Sequence, residues 1–467
     1  MKETLKSNKT LITNGFIITS EDKFYGDILI EGEKIIQVSD KKITDSADEI
    51  VDAKGLYVIP GAVDPHVHME LDTPAGASCD DFFSGSKAAI AGGTTTIIDF
   101  ITPGRDENWN EAIAKRKSQA AKSLIDYSLH ASIVGWNEHT PGEVSDFIAN
   151  EGITSFKIYL AYQKTVGISD SQLALAMEAV GSAGGLVMLH AEDDAIISHL
   201  KSKFIAEGKA SPLWHARSRP AEAEAIAVLK AISYAKILQC PIYVVHVSGA
   251  PAIQLIAEAQ ESGIKVFAET CPQYLLLDES LYDQPFEKSA KYVISPPLRG
   301  SFDRWKLWKA LKDKTISVVA TDHCPFNLHG QKSVGGEDFT LIPNGAGGVE
   351  HRPGLLFNFG VLNDRITLNE WVNLISTHPA RIFGLSHKKG DLKPGLDADI
   401  VLWNPEQKKV ISAANHHQRC DSNIYEGFAI QGGAQTVFSK GKKVFDSDQF
   451  FNDGVKGNFL KRTPLVR

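Results

Sequence analysis

Two histidines two residues apart, His66 and His68, end an apolar stretch, VIPGAVDPHVH, that has the texture of a β-strand. Side chains in a strand repeat with a period of two, so both imidazoles face the same way and can hold one metal ion between them. Among 15 histidines such a pair is, by itself, also read as two satisfied polar side chains at a strand end. Three further residues shift the balance. His190 ends LVMLHAE, His246 ends IYVVHVSG and Asp322 ends ISVVATDH, each closing an apolar run of its own. Imidazoles and a carboxylate gathered from separate strand ends are the donors of a transition-metal site that activates water.

Lys157 adds a different element. In TSFKIYLAY, Phe156, Ile158 and Leu160 share one face, while Ser155, Lys157 and Tyr159 share the other. The more apolar face belongs against helices, which turns Lys157 inward, where an unpaired ammonium costs several kcal/mol. Either an Asp or Glu pairs with it, or the neutral amine takes up CO2 to become a carbamate, an anion with two oxygens that can bridge two cations. On the residues alone both readings stand.

These side chains need a scaffold that presents strand ends together. From about Val58 to Leu385 an apolar strand followed by an amphipathic helix recurs eight times, the strands being VIPGAVDPHVH, TTTIIDF, YSLHASIVG, TSFKIYLAY, LVMLHAE, IYVVHVSG, KVFAETCP and ISVVATDH. Asp80 before an apolar stretch ended by Gly92-Gly93, Pro220 before AEAEAIAVLKAISYAKIL, and Thr367 with Glu370 mark helix boundaries. A doubly wound open sheet shares this local pattern, but the count predicts a parallel (β/α)8 TIM-like barrel, whose active sites lie on the C-terminal rim. At both ends of the chain short β-branched runs alternate with turns and no helix, as in TLITNGFIIT and AQTVFSKGKKVFD. They predict one small β-sandwich domain built from residues 1–57 and 386–446, around a barrel of residues 58–385, with residues 447–467 as a tail and possible oligomer contact.

Composition narrows the partners. A chain of 467 residues with 43% hydrophobic and 23% charged residues can bury a large core. No apolar run approaches the roughly 18–20 residues that span a bilayer, and the polar start MKETLKSNKT has no export signature, so a soluble, cytoplasmic protein is expected. A net charge of -8 without a basic stripe excludes nucleic acid and anionic membranes as natural partners and favours small neutral ligands. The five scattered cysteines form no CxxC pair and read as reduced thiols.

Longer motifs carry a resemblance. HVH, the in-strand lysine, two single histidines and a final aspartate resemble the amidohydrolase superfamily. DDFFSGSKAAIAGGTTTIIDF, FKIYLAY, ETCPQYLLL, SPPLR, TDHCPFN and GGEDFTLIPNGAGGVEHR are similar to dihydropyrimidinases and D-hydantoinases. The resemblance covers nearly the whole chain. It implies hydrolytic opening of cyclic amides, 5,6-dihydropyrimidines and hydantoins, to N-carbamoyl amino acids. It also implies two Zn2+ ions, with Mn2+ or Co2+ as substitutes: one on His66, His68 and Asp322, the other on His190 and His246, bridged by N6-carboxylated Lys157 and a hydroxide. By the same resemblance Asp322 is the general base, Tyr162 donates to the oxyanion and contacts substrate, and Ser295 and Asn344 bind the cyclic imide edge. A homotetramer or homodimer is implied too, with NFLKRTPLVR similar to segments that reach a neighbouring subunit.

Some positions depart from the pattern. Thr73 and Val166 stand where many hydantoinases carry aromatic residues, which weighs against bulky 5-aryl substituents. Dihydroorotases usually have an arginine two residues after the second histidine of HxH; here Glu70 stands there, a carboxylate expected to repel anionic substrates. Allantoinases lack the tyrosine matching Tyr162. Non-catalytic dihydropyrimidinase-related proteins of the collapsin-response type have lost metal ligands that this chain keeps.

Overall fold

The computed structural model describes residues 8–105, 107–451 and 454–465, in which two sheets organise the chain. The first strands are β1 (Lys9–Ile18), β2 (Lys23–Glu31), β3 (Lys34–Ser39), β4 (Glu49–Asp52) and β5 (Tyr57–Pro60). The last are β14 (Ile400–Val410), β15 (Ala429–Ser439), β16 (Lys442–Asp446) and β17 (Gln449–Phe450). One hydrogen-bonded path joins both groups: β14 pairs antiparallel with β5 on one side and with β15 on the other. The expected β-domain of both termini is therefore present, and its core includes Ile17, Ile28, Val58, Ile400 and Leu402. Tyr57–Pro60 belongs to this sheet, so the chain crosses to the second sheet at Gly61. No side chain fits there, because a Cβ would lie 2.1 Å from Thr95 Oγ1.

The second sheet holds eight parallel strands in sequential order: β6 (Ala62–Val67), β7 (Thr94–Ile101), β8 (Asp126–Ser132), β9 (Ser155–Tyr159), β10 (Leu186–His190), β11 (Ile242–Val244), β12 (Val266–Thr270) and β13 (Val318–Val319). Each is buried along nearly its whole length, as continuous apolar strands covered on both faces must be. The ends of the sheet meet just beyond β13, where Val67 bridges His323 in parallel and the His68 N–H donates to the His323 carbonyl at 2.8 Å. This closes the predicted barrel. Phe156 stacks toward Trp109 of the helix Trp109–Ala120, while Ser155 turns inward to His130, so the alternation around Lys157 is as expected.

Helix boundaries follow the local signals with one correction. The helix Phe82–Ala91 is capped by Asp81, which accepts from the Ser84 N–H, and not by Asp80. Asp80 instead takes hydrogen bonds from His323 Nε2 at 3.1 Å, Ser84 Oγ at 2.7 Å and the Arg419 N–H at 2.9 Å. Thr367 and Glu370 form the expected capping box, and Pro220 precedes the helix Ala221–Leu238.

The described part of the tail lies across the N-terminal ends of the barrel strands. Leu460 N–H donates to Tyr127 O at 2.7 Å, Arg462 N–H to Gly152 O at 2.9 Å and Thr463 N–H to Gly384 O at 3.1 Å. The buried Arg462 guanidinium enters the barrel floor and donates to Ser155 Oγ at 2.7 Å. Residues 466 and 467 lie outside the described chain. Among the described residues no helix is long and apolar enough to cross a membrane.

Candidate metal centre

His66 lies within β6 and His68 just after it, so the two-residue period brings their Nε2 atoms to 3.3 Å on the C-terminal rim. Asp322, three residues beyond β13, extends Oδ1 to 3.1 Å from His66 Nε2 and 3.2 Å from His68 Nε2. Ligands arranged tetrahedrally about zinc at about 2.0–2.1 Å stand roughly 3.3 Å apart. The protonation pattern supports the same reading. His66 Nδ1 faces Glu269, and Glu269 is a buried carboxylate that also accepts from Tyr243 Oη at 2.7 Å and from the His246 N–H at 3.2 Å. Burial pushes the Glu269 carboxyl up to about 8 against the pull of Tyr243 and Lys157; in its ionised form its oxygens are filled by donors, which puts the His66 proton on Nδ1 and a lone pair on Nε2. The His66 lone pair, the His68 ring nitrogen and the Asp322 oxygen lie close enough together to hold one metal ion.

A second pair stands beside the first. His190 closes β10 and puts Nδ1 3.0 Å from His246 Nε2. His190 Nε2 donates to Glu192 Oε2 at 2.8 Å, which leaves Nδ1 as the acceptor, and His246 Nδ1 is buried without a hydrogen-bond partner. The His66 and His246 rings stack with centroids 5.6 Å apart, so both pairs share one chamber. Phe100 is its apolar wall, 4.9 Å from His66 and 4.7 Å from His68 between ring centroids.

Lys157 enters from β9, 1% exposed, with Nζ over the rings of Phe100 and Tyr159. Burial pushes its ammonium down to about 8 against the opposing pull of Asp322 and Glu269, so about a tenth of it is neutral at pH 7, far more than for a free lysine. Burial also pushes the Asp322 carboxyl up, but His66, His68 and His246 outweigh it and hold the group well below the usual carboxylate range. Desolvation keeps His66, His190 and His246 neutral, the form in which imidazole binds a metal.

Backbone strain marks the same place. Tyr162, His246 and Asp322 have φ of 62°, 40° and 52°, a left-handed conformation that non-glycine residues rarely adopt. Each costs on the order of 1–3 kcal/mol and persists only where surrounding packing enforces it. Tyr162 follows β9, with its ring centroid 5.3 Å from that of His190. Ser295 and Asn344, far apart in sequence, meet through Asn344 Nδ2 donating to Ser295 Oγ at 2.9 Å. The loop after His68 turns on itself, Thr73 Oγ1 donating to Gly76 O at 2.6 Å.

Glu70 corrects an expectation. Its carboxylate is answered by Lys122 Nζ at 3.2 Å, so it is not the free charge that was to repel an anionic substrate. Four residues around the chamber escaped sequence reasoning: Glu269, Tyr243, Glu192 and Arg219. Glu192 had a signal, two residues beyond His190 in LVMLHAE, and Glu269 sits in ETCPQYLLL. Arg219 had none. A surface cavity of about 840 Å3 lined by Trp305, Trp308, Phe359 and Phe428 shares none of these residues.

Residues 57–444 match the amidohydrolase family. The chain is 41% identical to a D-hydantoinase of Geobacillus stearothermophilus over 453 residues, covering 97% of this chain and 96% of that protein. It is 39% identical to a D-phenylhydantoinase of Escherichia coli O1:K1 / APEC over 461 residues, 98% of this chain and 99% of the other. Among solved structures, the dihydropyrimidinase from Brevibacillus agri NCHU1002 superposes with a TM-score of 0.96 at 40% identity, covering 98% of this chain and all of that one.

Proposed function

The chain belongs to the amidohydrolase family, and on that premise we propose that it hydrolyses neutral cyclic amides, dihydropyrimidines and hydantoins, to N-carbamoyl amino acids. The observation that carries the reading is the convergence of His66, His68 and Asp322 within 3.3 Å beside the His190 and His246 pair, with Lys157 in the same chamber. We assign His66, His68 and Asp322 to one divalent ion, His190 and His246 to the other, and a carboxylated Lys157 to both. Imidazole-rich ligation favours zinc, with manganese or cobalt as substitutes. When bound, such a pair lowers the pKa of water toward neutrality and draws electron density from the ring carbonyl.

The chain's own residues then divide the work. With Oδ1 of Asp322 turned to His66 and His68, Oδ2 is left to take a proton from the attacking water and hand it to the ring nitrogen as the C–N bond breaks. Tyr162 donates its phenolic proton to the carbonyl oxygen as that oxygen gains charge. Ser295 and Asn344, already joined, offer the polar edge that holds the cyclic imide. Phe100 keeps the chamber dry on one side, which strengthens every charge interaction inside it. The same reading makes this a cytoplasmic homotetramer or homodimer acting on small uncharged molecules.

The test is a substrate panel of dihydrouracil, hydantoin, allantoin and dihydroorotate, followed by loss of ring absorbance with metal content measured on the same sample. Dihydrouracil and hydantoin are expected to be opened fastest by protein holding about two ions per chain. Protein that takes up no transition metal and opens none of the four would refute the reading and favour a non-catalytic role.

A further inference from the structure

Behind Tyr162 stands a fully buried arginine that belongs to neither metal pair. Arg219 follows the short helix Pro212–Arg217 and precedes Pro220. Its Nη2 donates to Tyr162 Oη at 3.1 Å, and its guanidinium carbon lies 5.1 Å from the Tyr162 ring centroid. Its Nη1 donates to Glu192 Oε2, the same oxygen that accepts from His190 Nε2 at 2.8 Å. Arg299 holds it from behind by donating to its carbonyl oxygen. A continuous polar chain thus runs from His190 through Glu192 and Arg219 to the phenol.

We propose that Arg219 is the positioning residue for Tyr162, resting on the oxyanion role given to that phenol above. A phenol has one proton and can accept as well as donate. With Arg219 Nη2 occupying the acceptor side of Oη, the phenolic proton points away from the arginine and stays free for the carbonyl oxygen. The guanidinium is always charged and offers a rigid fork, so one side chain serves Glu192 and Tyr162 at a fixed separation. Lysine keeps the charge but not the fork. Glu192 balances the charge and, through His190, ties the orientation of the oxyanion donor to that of a metal-binding ring.

The experiment is a double-mutant cycle on the metal-loaded enzyme with hydantoin as substrate, using Arg219→Lys, Tyr162→Phe and the pair. Arg219→Lys is expected to lower kcat by about tenfold or more with KM and metal content little changed, since an oxyanion donor is worth roughly 10²–10³ in kcat. In the Tyr162→Phe background the same substitution should cost almost nothing further. Equal losses in both backgrounds overturn the proposal while leaving the hydrolase reading intact; a wild-type enzyme inactive on the whole substrate panel overturns both. Should Arg219→Lys not fold, a crystal structure of the wild-type holoenzyme with its N-carbamoyl product decides. Tyr162 Oη is expected to contact Arg219 Nη2 and a product oxygen together, and a phenol that has left Arg219 refutes the role.

Discussion

Glu269→Gln isolates the part of the site that fixes which nitrogen of His66 can bind a metal. The carboxylate faces His66 Nδ1, the Tyr243 hydroxyl and the His246 N–H. Glutamine is nearly isosteric, and its single carbonyl oxygen can still accept from His66 and His246 while its NH2 turns to Tyr243, whose hydroxyl reverses to accept. Geometry is therefore kept, and what is lost is the charge the carboxylate carries when a cation at His66 offsets the burial that pushes its pKa up to about 8. A hydrogen bond to an ionised partner is about twice as strong as a neutral one, and carboxylates behind metal-binding imidazoles typically govern 10- to 100-fold in affinity. The expected loss for the His66 site is thus about 1.4–2.7 kcal/mol. Apoprotein made by chelation and titrated with Zn2+ against a chromophoric competitor measures it directly. Tyr243→Phe, which leaves both contacts on Oε1 in place, should shift affinity far less. An affinity for Glu269→Gln within about twofold of wild type would show that Glu269 does not set the state of His66, and the argument for lone pairs converging with Asp322 would fall with it.

Other consequences are measured more simply. Lys157→Ala should retain the His66 site but lose the second ion, with partial recovery of activity when a short carboxylic acid is added; intact mass of wild-type holoenzyme showing no added carboxyl group would contradict the bridging role. Tyr162→Phe should keep metal and fold while kcat drops by roughly 10²–10³, and an unchanged kcat would reduce Tyr162 to packing. His351, whose Nε2 accepts from Asn423 Nδ2 at 2.8 Å, is held down to about 4 by burial. An unfolded imidazole titrates near 6.5, so between about pH 6.5 and 4 the unfolded chain binds the extra proton and stability falls as pH falls, by up to about 3 kcal/mol. Thermal unfolding of His351→Gln should show a shallower acid decline, and parallel curves would refute this assignment. Dihydroorotate should still be opened at least about tenfold more slowly than dihydrouracil, now for want of an arginine partner alone, since Lys122 answers Glu70.

What the sequence reveals depends on how far apart the interacting parts lie. Periodicity placed Lys157 inside the barrel because its own strand carries the pattern, and eight apolar runs announced eight strands. His66 and His68 declared themselves by spacing, and the resemblance supplied Tyr162, Ser295 and Asn344. Arg219 and Glu269 stayed hidden because their meaning is created by groups on other strands: a phenol 57 residues earlier and an imidazole 203 residues earlier. Glu70 misled for the matching reason, since nothing near it in sequence announces Lys122, 52 residues away. Asp80 and Asp81 illustrate a finer limit. Adjacent aspartates are equivalent as caps until tertiary contacts with His323 and Arg419 claim one of them.

The pairing of β5 with β14 has a consequence for how the protein comes into being. Ile59 finds Val401 across more than three hundred intervening residues. At about 5–20 residues per second, the ribosome delivers that partner roughly 17–68 s after β5 has emerged. Throughout that interval the edge of β5 that β14 will cover offers open hydrogen-bonding groups to any extended chain nearby. Synthesis rate and holdase chaperones should therefore govern the soluble yield more strongly than the stability of the finished molecule does.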